Sequence, residues 1–127
     1  MLPLRHRKTW LALSGLLVAG VVFGSLQPNP PLVMPGNFDK VEHFAAYFLL
    51  AGWFTGLYPR STYWTVAIGL LVLGIGLEVL QGAMELGRVP DVFDMAANAA
   101  GVAVGVALAL VATGGWARRV ESWLSSS

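Results

Sequence analysis

The sequence predicts an all-α membrane protein, a single-domain bundle of four transmembrane helices with both termini cytoplasmic. Three observations lead there. Of 127 residues, 56% are hydrophobic and 12% charged, against roughly 25% charged in a soluble domain, and the mean hydropathy is +0.66. Four apolar runs, at about 10–26, 41–58, 63–82 and 95–112, each have the length that crosses a ~30 Å hydrocarbon layer. The basic residues, finally, divide unevenly between the two ends of such a bundle.

The first run follows Arg5, His6, Arg7 and Lys8. A basic start and an apolar stretch also suit a secretory signal, with Val22 and Gly24 as a passable cleavage site. The run exceeds the roughly 7–15 apolar residues usual for such a signal, so it is read as a span. A Pro-rich link at 27–37 leads to the second run, which ends at Pro59. The third run starts at Tyr63 and the fourth at Met95. Trp53, Tyr58, Tyr63, Trp64 and Trp116 fall near run ends, where amphipathic rings settle at headgroup level. Ala97, Gly101, Gly105 and Ala109 recur every four positions, and Gly20-x-x-x-Gly24 and Gly52-x-x-x-Gly56 repeat the pattern. Small-residue stripes of this kind let helix backbones approach closely in lipid.

With the N-terminus inside, Arg5, Arg7, Lys8, Arg60, Arg118 and Arg119 are internal, and only Lys40 and Arg88 are external. The positive-inside rule selects that orientation. The acids divide the other way: Asp39, Glu42, Glu85, Asp91 and Asp94 lie outside, Glu78 deeper in the third span, and only Glu121 inside. The polar residues therefore open away from the cytoplasm.

Several functions are excluded. A net charge of +1 provides no dense basic face for nucleic acid. Without cysteine there is no disulfide, thiolate metal site or thiol nucleophile. The H-E-x-x-H, G-x-x-x-x-G-K-[ST] and G-x-S-x-G patterns are missing, and no cofactor is expected.

What remains is a set of polar stripes at helical spacing. Asp39, His43 and Tyr47 step by four, beside Lys40; Glu78, Gln81 and Glu85 step by three and four; Asp91, Asp94, Asn98 and Gly101 do the same. Polar and ionisable groups in a bilayer cost several kcal/mol unless paired, wetted or functional, which points to a shared ligand-binding site. Each also has a structural reading. Asp39 suits a helix cap with Glu42 as capping-box partner, Asp91 a cap after Pro90, and Glu85–Arg88 a salt bridge. Glu78, several turns into its span, must be protonated, paired or facing water. His43 and Glu78 are the candidates for a general base or acid. Asp91 and Asp94 form a weak motif for a hard cation. A zinc site would need ligands from several helices, with His43 the one nitrogen ligand of promise, and no metal is assigned.

The stretch Asp39-Lys40-Val41-Glu42-His43-Phe44-Ala45-Ala46-Tyr47-Phe48 resembles the D-K-x-x-H-x-x-x-Y/F motif of the VanZ-like family. Glu78-Val79-Leu80-Gln81, Glu85, Arg88 and Asp91-x-x-Asp94-x-x-x-Asn98-x-x-Gly101 are similar to that family's second motif. The resemblance covers about 39–105. It implies a small multi-pass protein of the bacterial cytoplasmic membrane, related to a protein associated with resistance to the glycopeptide teicoplanin. It implies no particular reaction. Three readings stay open. The first is an envelope module whose outer site binds a lipid or cell-wall-precursor headgroup, or an envelope protein. The others are an intramembrane enzyme acting on a lipid-linked phosphate or sugar, and a purely structural polar network.

Overall fold

The computed structural model describes residues 1–26, 38–83 and 92–125, without the side chains of Phe38 and Asp39. Every regular element among them is helical. They are α1 (Arg7–Ser25), α2 (Phe38–Leu57), α3 (Tyr63–Ala83) after a 3₁₀ turn at Arg60–Thr62, α4 (Val92–Leu108) and α5 (Trp116–Ser125). A π-helical turn, Ala109–Thr113, extends α4.

Three stretches are long and apolar enough to cross a membrane: Arg7–Ser25, Arg60–Gln81 and Val92–Thr113. At about 1.5 Å per residue each reaches roughly 30 Å. The second predicted span, α2, has 20 residues but falls below the same mark. Asp39, Lys40, Glu42 and His43 crowd its first turns and dilute the apolar run behind them. Leu16, Phe23, Leu49, Val72 and Val111 lie exposed on the bundle surface, as expected for side chains facing lipid.

The helix that falls below that mark is nevertheless the central one. α2 packs most extensively on α4 and also touches α1, α3 and α5. Tyr47, Leu50 and Ala51 of α2 meet Leu70 of α3 and Val102 of α4 in the main core. Gly101 and Gly105 make the α2–α4 approach possible. A Cβ at Gly101 would run into the Phe44 carbonyl and come within 2.9 Å of the Phe48 nitrogen; at Gly105 it would meet Ala51 Cβ at 2.7 Å. The stripe expected along α1 packs differently, because a Cβ at Gly20 or Gly24, or at Gly52 on α2, would find nothing within 4 Å. Of the two glycines in the α2 pair, only Gly56 is itself closely approached, by the Trp116 indole.

α5 is an addition to the four predicted helices. It is amphipathic, burying Ala117 and Glu121 while exposing Trp123 and Leu124. Its Glu121 carboxylate accepts from the backbone N–H of Arg5 (2.6 Å) and His6 (2.7 Å) and from the Trp10 indole (2.8 Å). Trp53 and Trp116 join Trp10 in a half-buried triad at the basic end, with ring centroids 5.2–5.9 Å apart. Every indole N–H there is used: Trp53 donates to Ser14 Oγ and Trp116 to the Gly52 carbonyl, each over 2.8 Å. Trp64 is exposed.

Candidate functional site

At the other end of the bundle, three helices bring their polar stripes together. His43 and Tyr47 come from α2, Glu78 from α3, and Asp94 and Asn98 from α4. The spacing of four on α2 and α4 sets each pair one turn apart on one face, and those faces oppose each other. His43 Nδ1 donates to Asn98 Oδ1 over 2.8 Å. On its other side, Nε2 lies 3.5 Å from Asp94 Oδ2, while Lys40 Nζ lies 3.3 Å from Asp94 Oδ1. Both of these Asp94 contacts reach across to α2.

Glu78 is 2% exposed. One ligand-type atom each from His43, Glu78 and Asp94 lie within 4.8 Å of one another. Tyr47, also buried, is within electrostatic reach of Glu78. Gly74, one turn before Glu78, leaves room for this: a Cβ there would meet Asn98 Nδ2 at 2.9 Å and the Tyr47 hydroxyl at 3.3 Å. Gly74 is the site residue that a reading of the polar pattern misses. Its signal is its place four residues ahead of Glu78, on the same helix face.

Gln81 behaves differently from its neighbours in sequence. Its Nε2 donates to the Ser25 carbonyl at the end of α1, which satisfies one of the carbonyls a helix C-terminus leaves open. Gln81, His43, Tyr47 and Glu42 line a cavity of about 330 Å³ whose opposite wall is Gly20, Val21, Gly24 and Ser25 of α1. Gly20 and Gly24, whose α1 stripe meets no neighbour, thus hollow this cavity. A larger cavity, about 800 Å³, lies at the basic end beside Arg60, Arg118 and Arg119. It contains none of the carboxylates or the imidazole of the polar motif, so the smaller one is the chemically relevant space.

Of the predicted site residues, the structure brings together Lys40, His43, Tyr47, Glu78, Gln81, Asp94 and Asn98. Glu85, Arg88 and Asp91 lie outside the described residues, as does the side chain of Asp39; the Glu85–Arg88 bridge, the Asp91–Asp94 cation pair and the Asp39 cap fall there too. The arrangement can hold a proton or a cation among His43, Glu78 and Asp94, and can present Tyr47 and the imidazole edge to a molecule in the cavity.

The basic end has its own electrostatics. Burial pushes the Glu121 carboxyl up, but the backbone N–H groups of His6 and Arg5, the Trp10 indole and the His6 charge together bring it below the ordinary 4.5. Against protein-family models, curated proteins and solved structures alike, the chain gives no match.

Proposed function

We propose that this chain is a VanZ-like protein of the bacterial cytoplasmic membrane, whose outer-facing polar site binds the headgroup of a membrane lipid or a lipid-linked cell-wall precursor. The observation that carries the reading is the cavity between α1 and the α2–α3 face, walled on one side by His43, Tyr47 and Gln81 and on the other by glycines. Its volume, about 330 Å³, is at the lower end of the range for small-molecule pockets. A polar wall facing a small-residue wall suits a headgroup whose acyl tails stay in the bilayer.

Four crossings with both termini cytoplasmic are part of this proposal. Arg5 and Glu121 touch, so the start of α1 and α5 share one end of the bundle. A chain that returns to the side it started from crosses an even number of times. With α1, α3 and α4 as crossings, α2 supplies the fourth. The basic residues Arg5, Arg7, Lys8, Arg60, Arg118 and Arg119 mark the cytoplasmic side, which leaves the carboxylate–imidazole site outside, where cell-wall precursors are exposed. The bearing on teicoplanin susceptibility rests on the resemblance to the VanZ-like family, with which this outer location agrees.

Native mass spectrometry in mild detergent tests the binding. The parent protein should retain a lipid adduct that Gly20→Leu, which fills the cavity, removes. Equal adducts on both proteins would refute the site. In a teicoplanin-susceptible host, expression of the parent should shift the inhibitory concentration and Gly20→Leu should not.

The enzymatic reading draws on a separate observation, the approach of His43, Glu78 and Asp94 to within 4.8 Å. Such a group can serve acid–base chemistry on a lipid-linked phosphate or sugar. Release of inorganic phosphate or free sugar from lipid-linked substrates by the purified protein, lost in His43→Gln, decides for or against it.

A further inference from the structure

We infer that His43, Glu78 and Asp94 form a binding site for one first-row divalent cation, with zinc the leading choice. One nitrogen and two carboxylate ligands from three different helices meet within 4.8 Å. A tetrahedral ion with bonds of about 2.0–2.2 Å holds its ligand atoms roughly 3.3–3.6 Å apart. The separation of His43 Nε2 from Asp94 Oδ2, 3.5 Å, already has that value.

The groups behind the ligands point the same way. Asn98 Oδ1 can only accept, so the 2.8 Å contact requires the proton of His43 on Nδ1. In the neutral ring, Nε2 then directs a lone pair towards the Asp94 carboxylate. Two electron-rich groups facing each other at 3.5 Å call for a cation or a proton between them. Metal-bound histidines have this arrangement, with the distal nitrogen hydrogen-bonded to a fixed acceptor, and metal-bound carboxylates are likewise held from behind. Lys40 faces the other oxygen of Asp94 as an ion pair at 3.3 Å, and that buried oxygen has no hydrogen-bond partner among the described residues. Glu78, almost completely buried, completes the set from α3.

Mixed nitrogen–oxygen donors suit zinc, manganese or iron and discriminate against soft copper(I). Three protein ligands leave a position open, as in zinc sites that bind a further ligand. Metal can be measured with no lipid present, so the cation site stands or falls independently of the headgroup reading.

The test is zinc binding to purified protein free of any polyhistidine tag. Competition against a chromophoric chelator should give one equivalent per chain. Glu78→Gln and Asp94→Asn should each weaken binding at least tenfold, Asn98→Ala roughly 10–100-fold, and His6→Gln, at the opposite end of the bundle, not at all. Should the site variants fail to fold, cobalt(II) in the parent protein is decisive: an intense visible d–d absorption marks a four-coordinate site, and zinc should abolish it. Substoichiometric zinc, or cobalt spectra of the hydrated ion, would overturn the assignment in favour of a protonated His43 paired with Asp94.

Discussion

His43 and Asn98 are 55 positions apart in sequence and 2.8 Å apart in space, joined from imidazole Nδ1 to amide oxygen. This bond ties the first turns of α2 to the second turn of α4 in the region where Gly101 lets the two helices come together. It orients the imidazole, and so determines what Nε2 can do towards Asp94.

Replacing that acceptor should be felt in stability. Asn98→Ala leaves the Nδ1–H with no partner in a buried place, a loss of about 1–3 kcal/mol. Thermal unfolding in mild detergent is the measurement. A variant as stable as the parent would show that the ring finds another acceptor.

Glu78→Gln keeps shape and hydrogen-bonding capacity but removes the charge. It should insert normally and unfold within about 1 kcal/mol of the parent, yet lose the lipid adduct in native mass spectrometry. Loss of fold together with the adduct would assign Glu78 to architecture alone.

Gly101→Val should separate α2 from α4, because the nearest atoms are backbone and cannot rotate away. Overpacking of this kind costs about 1–3 kcal/mol, and assembly of the site should fail with it. Gly76→Ala is the control, since nothing lies within 4 Å of a Cβ there; its unfolding curve should overlay the parent's.

Acid should loosen the other end. The Glu121 carboxyl titrates below its ordinary 4.5 in the folded protein. Its contribution is therefore complete above the unfolded value and is lost as pH falls through the lowered one. Tryptophan fluorescence, sensitive to the Trp10 environment, should show the transition in the parent as pH falls below the ordinary 4.5 of the carboxyl. In Glu121→Gln, less stable already at neutral pH, that acid step should be missing.

The chain's lack of cysteine makes the topology directly testable. A membrane-impermeant thiol reagent applied to intact cells should label Leu26→Cys and spare Ser125→Cys. Labelling of Ser125→Cys would reverse or break the four-crossing orientation.

Much of the site can be read from spacing. His43 with Tyr47 and Asp94 with Asn98 each sit one helical turn apart, so periodicity places each pair on a shared face. Their cross-helix partners are not legible, because nothing local states that Lys40 pairs with Asp94 or that His43 meets Asn98. Gly20 and Gly24 show the limit of a pattern that has two physical uses. The same spacing that lets helices touch also lets one stand off and leave a cavity, and only the neighbouring helix decides. α5 escapes a reading built on long apolar runs because it is short and polar. Its signal is a four-residue step, Ala117 to Glu121, which marks the one buried face of the helix.

The three donors gathered by Glu121 have a consequence for how the protein is made. The bond from Arg5 spans 116 positions, so the N-terminal segment leaves the ribosome long before its acceptor exists. During that interval Trp10 also lacks both Glu121 and Trp116, two of its neighbours in the finished protein. Until then α2 alone holds the basic end of α1, through the Leu2 N–H on the Leu57 carbonyl (2.8 Å) and Trp10 against Trp53, and the Glu121 bonds are added only after the last helix emerges. Contacts this distant in sequence form late and slowly. Truncation before α5 should therefore yield an inserted but protease-sensitive chain, with the vulnerability concentrated ahead of α1.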